Sequence, residues 1–182
     1  LSDGAAEGGG PHQTHQRVVG LIGCPGSGKT TYARRYDPLD GWVHLTLDDI
    51  RQALWPPHRQ IYWRVRAEGY DDEARQVLHR VKEAALEAAL GAGFNVVMAD
   101  THLTQAVFAR ELEIVARYGI MIEWKLFDVP WDELTKRNKA RALSDPAHRQ
   151  PEHVLRLTYE AMRAPDAWWR MLPPQQLEVI EA

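Results

Sequence analysis

The spacing of apolar and polar residues changes period repeatedly along the chain. Residues 17–23 (RVVGLIG) are a short apolar run closed by glycine, which predicts a buried strand. Residues 27–36 predict a helix, 42–46 a second strand, and 48–54 the opening of a second helix. Residues 71–90 are rich in alanine and carry Val77, Leu78, Val81, Ala85 and Leu86 at helical spacing, with Gly91 and Gly93 behind them. That pattern predicts a long helix with a glycine stop. Residues 95–100 (NVVMAD) read as a strand buried on both faces, and 104–118 as a helix with Thr104 as its cap. Residues 121–128 predict another strand, followed by helices over 130–141 and 151–163; the tail 173–182 reads as an extended or short-strand finish. Strands alternating with helices imply an α/β fold, a parallel sheet with helices on both faces.

Composition narrows this picture. The chain has 182 residues, enough for one domain with a real core. Residues 1–16 hold four Gly and one Pro but no Val, Ile or Phe, so they read as a flexible arm or linker, or as a frayed end, before a domain at 17–182. A start at Leu1 rather than Met fits a piece of a longer chain. The net charge is -3, so any nucleic-acid contact must come from a local patch and not from overall basicity. One cysteine, Cys24, excludes an internal disulfide and a cysteine-based zinc site, and agrees with a reducing cytoplasm. No apolar run is long enough to span a bilayer, and no membrane partner is expected.

The strongest chemical signal is Gly23-Cys-Pro-Gly-Ser-Gly-Lys-Thr30, which matches G-x-x-x-x-G-K-[ST] between a predicted strand and a predicted helix. Glycines let such a loop curl until successive backbone N–H groups converge on phosphate oxygens, and the helix behind presents its positive dipole end. Gly23, Gly26, Ser27, Gly28, Lys29, Thr30 and Thr31 are therefore the candidate nucleotide-binding residues. Lys29 supplies a point charge for the β- and γ-phosphates of ATP or another NTP, and the Thr30 hydroxyl is a candidate Mg²⁺ ligand. Cys24 and Pro25 read as shapers of the loop.

The acceptor is sought at the ends of the other strands. Asp48 is placed to orient an acceptor hydroxyl and take its proton, or simply to cap a helix. Arg51 lies three residues on, on the same helical face, where its planar fork suits an anionic acceptor. Asp100 ends an apolar strand, either supporting Mg²⁺ or capping a turn. Residues 134–141 (LTKRNKAR) read as a basic lid over the triphosphate, with Lys136 and Lys139 on a solvated face. Residues 51–66 interleave four arginines with Trp55, Tyr62 and Trp63, which suits a single strand or, alternatively, a helix over a core. The histidines show no metal-ligand spacing, and Trp168-Trp169 reads as packing for the C-terminal helix.

GCPGSGKT at 23–30, LDDIRQ at 47–52, Asp100-Thr101 and FDVPWDELTKRN at 127–138 together resemble the 5′-kinase domain of phage-type polynucleotide kinases, and residues 154–163 fit the helix that follows the lid there. The resemblance covers about residues 17–165 and implies an adenylate-kinase-like P-loop fold with a basic helical lid. It further implies transfer of the γ-phosphoryl of ATP to the 5′-OH end of DNA or RNA with Mg²⁺, in end healing or repair. By position it makes Lys29 and Thr30 holders of triphosphate and metal, Asp48 the base, and Arg51 the grip on the phosphate 3′ of the terminal nucleoside. It makes Asp100 a support of the metal, Arg141 the lid arginine, and Arg137 a further nucleotide contact. A fused or associated phosphatase or ligase domain is also implied. His102 departs from the family's usual Asn, and residues 55–59 are proline-rich. A small-molecule or nucleotide kinase of the same fold, and a nucleotide-binding module without acceptor chemistry, are the alternative readings.

Overall fold

The computed structural model describes residues 16–55, 72–144 and 150–181. Within them the chain runs β1 (Val18–Gly23), α1 (Lys29–Ala33), β2 (Trp42–Leu45), α2 (Leu47–Leu54), α3 (Asp72–Gly91), β3 (Asn95–Met98), α4 (Ala109–Arg117), β4 (Ile122–Asp128), α5 (Trp131–Ser144), α6 (Glu152–Arg163) and β5 (Leu177–Glu181). The described strands form one parallel sheet in the order β2-β3-β1-β4-β5. The α/β class read from the alternating periods is the observed one.

β1 lies at the centre because its sequence can be buried on both sides. Val18 and Ile22 enter the larger apolar cluster, and Val19 and Leu21 enter the cluster on the other face. All four are fully buried, and each contributes roughly 2 kcal/mol of apolar transfer. Gly20 pairs in register with Trp124 of β4, and a Cβ there would lie 2.2 Å from the indole ring. The missing side chain is what admits Trp124, which packs with Phe108, His102 and Trp168 behind the strand.

Two elements differ from the pattern-based expectation. The first helix is only Lys29–Ala33, because Gly28 enters it at φ 103 and the N–H groups of Arg35 and Tyr36 bond three residues back rather than four. The helix expected over 104–118 is split: a 3₁₀ turn occupies Gln105–Val107 and α4 starts at Ala109. Thr104 makes no side-chain cap; Phe108 leaves helical geometry (φ -119, ψ 19) to bury its ring against Trp124 and Trp168. The tail does become a strand, β5, after a 3₁₀ turn at Pro174–Gln176. Gln16 already belongs to the domain, donating to the Leu90 and Phe94 carbonyls. Residues 1–15 and 56–71, with His58, Tyr62 and Trp63, lie outside the described residues.

Candidate functional site

The loop after β1 has the geometry its glycines predict. Gly26 and Gly28 sit at φ 80 and 103, where a Cβ would meet no atom but the backbone would be strained. The Gly23 N–H is fixed by the Thr101 carbonyl, so the loop is tied to the end of the neighbouring strand β3. Lys29 is buried, and its ammonium donates to the Gly23 and Cys24 carbonyls at 2.9 and 2.8 Å. Burial pulls its pKa down to about 8, while Cys24, Asp100 and Asp48 act the other way. A ligand phosphate would supply the counter-charge that this lysine lacks. The Ser27 hydroxyl is buried with no hydrogen-bond partner, an orphan facing the same loop. Thr30 is exposed on the first turn of α1. Cys24 is fully buried against Met162, and burial pushes its thiol pKa up, which makes it a packing residue rather than a nucleophile.

Asp48 and Arg51 share one face of α2, as their spacing implies, and the guanidinium Nη1 donates to the Asp48 carboxylate. Asp48 is 62% exposed, whereas the Arg51 side chain is only 12% exposed and its Nε–H is buried without a partner. The capping role belongs to Thr46, whose hydroxyl accepts from the Asp49 N–H. Asp48 is thus free of the helix-capping duty that its position also allowed.

Asp100 has different company. Its Oδ1 accepts the Leu47 N–H at 2.9 Å, and its Oδ2 lies 2.5 Å from the ammonium of Lys82 on α3. The same ammonium donates to Glu111 on α4 at 2.6 Å, and His102 Nε2 stands 3.8 Å from that carboxylate. Burial opposes every charge here, yet the mutual attraction wins: Asp100 and Glu111 are held below, and Lys82 above, their ordinary pKa values. Lys82 and Glu111 escaped sequence reading. The available signal was a lysine in the apolar row Leu78–Lys82–Leu86 and an acid in the row Phe108–Glu111–Val115. His102, given no role from its spacing, has the left-handed φ of 47. Asn and His both tolerate that region better than most residues, which accounts for the departure at this position.

One cavity opens on the loop, and a second lies past the end of β3. The first, about 520 Å³, brings Gly26, Ser27, Gly28 and Thr31 together with Arg137 and Arg141 of α5. Pro25, Tyr32, Arg35, Phe127, Val129, Asn138, Gln150, and Ile180 and Glu181 of β5 complete it, and nothing in the sequence marked the last two as site residues. Arg137 is held by Glu133 at 2.8 Å and reaches the Ser27 carbonyl at 3.4 Å. Lys136 and Lys139 are exposed, as a solvated face requires. Asn138 clasps the Gln150 backbone with both its amide groups, and Trp131 at the start of α5 packs against Tyr159 with the rings tilted by 58°, under Arg156. The second cavity, about 470 Å³, has Asp100, Lys82, His102 and Glu111 in its wall, with Arg75, His79, Thr104 and Thr158 among mainly apolar neighbours. Asp48 and Arg51 line neither cavity among the described residues. Trp168 is buried and donates its indole N–H to the His102 carbonyl, so it is a core residue.

A family model described as an AAA domain matches residues 18–165. Among solved structures the chain is similar to a chain of the Pnkp1/Rnl/Hen1 RNA repair complex, at 24% identity and a TM-score of 0.63 over 84% of this chain and 46% of that one. A second Pnkp1/Rnl/Hen1 complex gives 27% identity and a TM-score of 0.54 over 67% and 38% of the two chains. An unliganded sugar kinase from a Janibacter species gives 19% and 0.57 over 91% and 85%. The chain spans less than half the length of the two complex chains it matches. The fold is that of a P-loop kinase domain of the polynucleotide-kinase type.

Proposed function

The chain belongs to the AAA domain family, and we propose that within it the protein is a polynucleotide 5′-hydroxyl kinase that moves the γ-phosphoryl of ATP to the 5′-OH end of DNA or RNA. The observation that carries this reading is the Asp48–Arg51 pair: an exposed carboxylate on the first turn of α2, and beside it a guanidinium with a buried, unpartnered N–H.

In this reading the ATP phosphates enter the loop and take Lys29 from the Gly23 and Cys24 carbonyls. Thr30 and the triphosphate oxygens would hold Mg²⁺, which neutralises charge on the transferring group. Asp48 accepts the proton of the 5′-OH as its oxygen bonds to the γ-phosphorus, and the bond from that phosphorus to the β,γ-bridging oxygen breaks. Arg51 holds the phosphate on the 3′ side of the terminal nucleoside through its fork. Arg137 and Arg141 stabilise charge on the phosphates from α5. A place in nucleic-acid end healing, in the cytoplasm and beside a phosphatase or ligase domain, follows from the same reading; the matched complexes are of RNA repair proteins.

The test is transfer of labelled γ-phosphate to 5′-OH oligonucleotides, compared with nucleosides and sugars. Arg51→Ala should weaken use of a nucleoside 3′-phosphate at least tenfold and use of a bare nucleoside far less. Transfer to a small molecule alone would replace this reading with that of a small-molecule kinase, for which the 470 Å³ cavity would be the acceptor site.

A further inference from the structure

The strand-end acid Asp100 does not fit a metal ligand. Its Oδ1 accepts a peptide N–H, and its Oδ2, buried and without a hydrogen-bond partner, is paired in charge at 2.5 Å with an ammonium whose side chain is 1% exposed. A divalent ion bound there would sit within a few ångströms of the buried Lys82 charge, a like-charge contact in a poorly solvated setting. Displacing Lys82 offers no escape, since its remaining partner is the equally enclosed Glu111.

What Asp100 does hold is the start of α2. A helix begins with backbone N–H groups that have no intrahelical acceptor. In α2 the first, on Leu47, goes to Asp100, and the third, on Asp49, goes to Thr46. α2 has no fully buried residue of its own, so these two bonds, with partial packing of Leu47 and Ile50 on α3, decide where it points. Asp48 and Arg51 follow Leu47 by one and four positions. We propose that Asp100 is a positioning residue for acceptor chemistry: it fixes the first turn of α2, and with it Asp48 and Arg51, while Lys82 and Glu111 hold Asp100 rigid from α3 and α4. The role given to Asp48 rests on the kinase reading above; the exclusion of metal binding does not.

Three variants separate the possibilities. Asp100→Asn keeps an oxygen for the Leu47 N–H, Asp100→Ala removes it, and Leu47→Pro removes the donor. Proline is suited to the first position of a helix, and Thr46 before it is already extended (φ -134, ψ 144). The readouts are ATP-binding stoichiometry as the folded fraction, Mn²⁺ affinity of the ATP complex by electron paramagnetic resonance, and kcat and KM for an oligonucleotide acceptor. We expect Mn²⁺ affinity within about twofold of wild type in all three. Asp100→Asn should keep kcat within about fivefold, whereas Asp100→Ala and Leu47→Pro should each lose about tenfold or more without a matching rise in the KM for ATP. The double variant Asp100→Ala/Leu47→Pro should lose no more than either alone. A tenfold weaker Mn²⁺ affinity in Asp100→Asn, or wild-type turnover in Leu47→Pro, overturns the assignment. If Asp100→Ala does not fold, Leu47→Pro is set against Leu47→Ala, which loses the same packing on α3 but keeps the N–H: a larger kcat loss in the proline variant supports the assignment, and an equal loss overturns it. A wild-type protein inactive on every oligonucleotide would end the kinase reading instead, and the Mn²⁺ measurement, which needs no acceptor, still decides whether Asp100 binds metal.

Discussion

Single side chains decide much at the centre of this sheet. Gly20 shows it for packing: adding one methyl group drives it into the Trp124 ring, and β4 must shift to relieve the clash. Gly20→Ala should cost about 2 kcal/mol in urea-induced unfolding, with the transition still a single step. For chemistry, Lys29→Ala should abolish both ATP binding and transfer. Asp48→Asn should lower transfer on the order of a hundredfold or more while leaving ATP affinity within about twofold by calorimetry. A near-normal rate for Asp48→Asn with a defect in Asp49→Asn would move the base by one residue. The nucleotide loop was legible in sequence because its chemistry is local, eight consecutive residues with one backbone shape. The pairing of Lys82 with Glu111 was not, because its partners stand 29 positions apart on two helices and meet only once the sheet has formed.

Helices and strands were legible where burial and period agree, as in β1 and α3, and illegible where a tertiary contact overrides the period. The split before α4 is such a case: Phe108 abandons helical geometry for an aromatic cluster assembled from β4 and the segment after α6. The ion cluster joining α2, α3 and α4 has a pH signature that follows from its shifts. Asp100 and Glu111 titrate below their ordinary 3.8 and 4.5, so their stabilisation is present above about pH 4.5 and lost as pH falls through the lower folded values. Lys82 titrates above its ordinary 10.5, so its contribution is complete through neutral pH and lost only on the alkaline side. Lys82→Met leaves two buried carboxylates unpaired, at a cost of roughly 3 kcal/mol at pH 7. Those stranded groups then prefer to be protonated, so the gap between wild type and variant should narrow as pH falls from about 7 to about 4. A gap that stays constant across that range in urea titrations would mean the cluster is not ionised as described.

At the scale of the whole molecule, the order β2-β3-β1-β4-β5 explains how distant segments serve one loop. β1 delivers the phosphate cradle, β3 on one side delivers Asp100, and on the other side β4 and β5 deliver Phe127, Ile180 and Glu181 to the 520 Å³ cavity. The tail read as an extended or short-strand finish because a short edge strand carries little pattern of its own; its partner in β4 makes it a strand. Deleting residues 177–182 should therefore raise the KM for ATP several-fold, leave the KM for the acceptor nearly unchanged, and lower the melting temperature by several degrees. A loss falling equally on both substrates would show that β5 serves stability alone. No described helix is long and apolar enough to cross a membrane, and under the proposed function a nucleic-acid surface would have to be a local patch on a chain whose net charge is -3.

The contact of Trp131 with Tyr159, with Arg156 over the indole, joins the first residue of α5 to α6. A guanidinium against an indole face perturbs its emission, and any swing of α5 toward the phosphates must change that contact. If α5 closes over ATP as the proposed function requires, the difference in fluorescence between wild type and Trp131→Phe, followed on rapid mixing with ATP, should change in time with that movement, and an unchanged difference would show that α5 stays where it is.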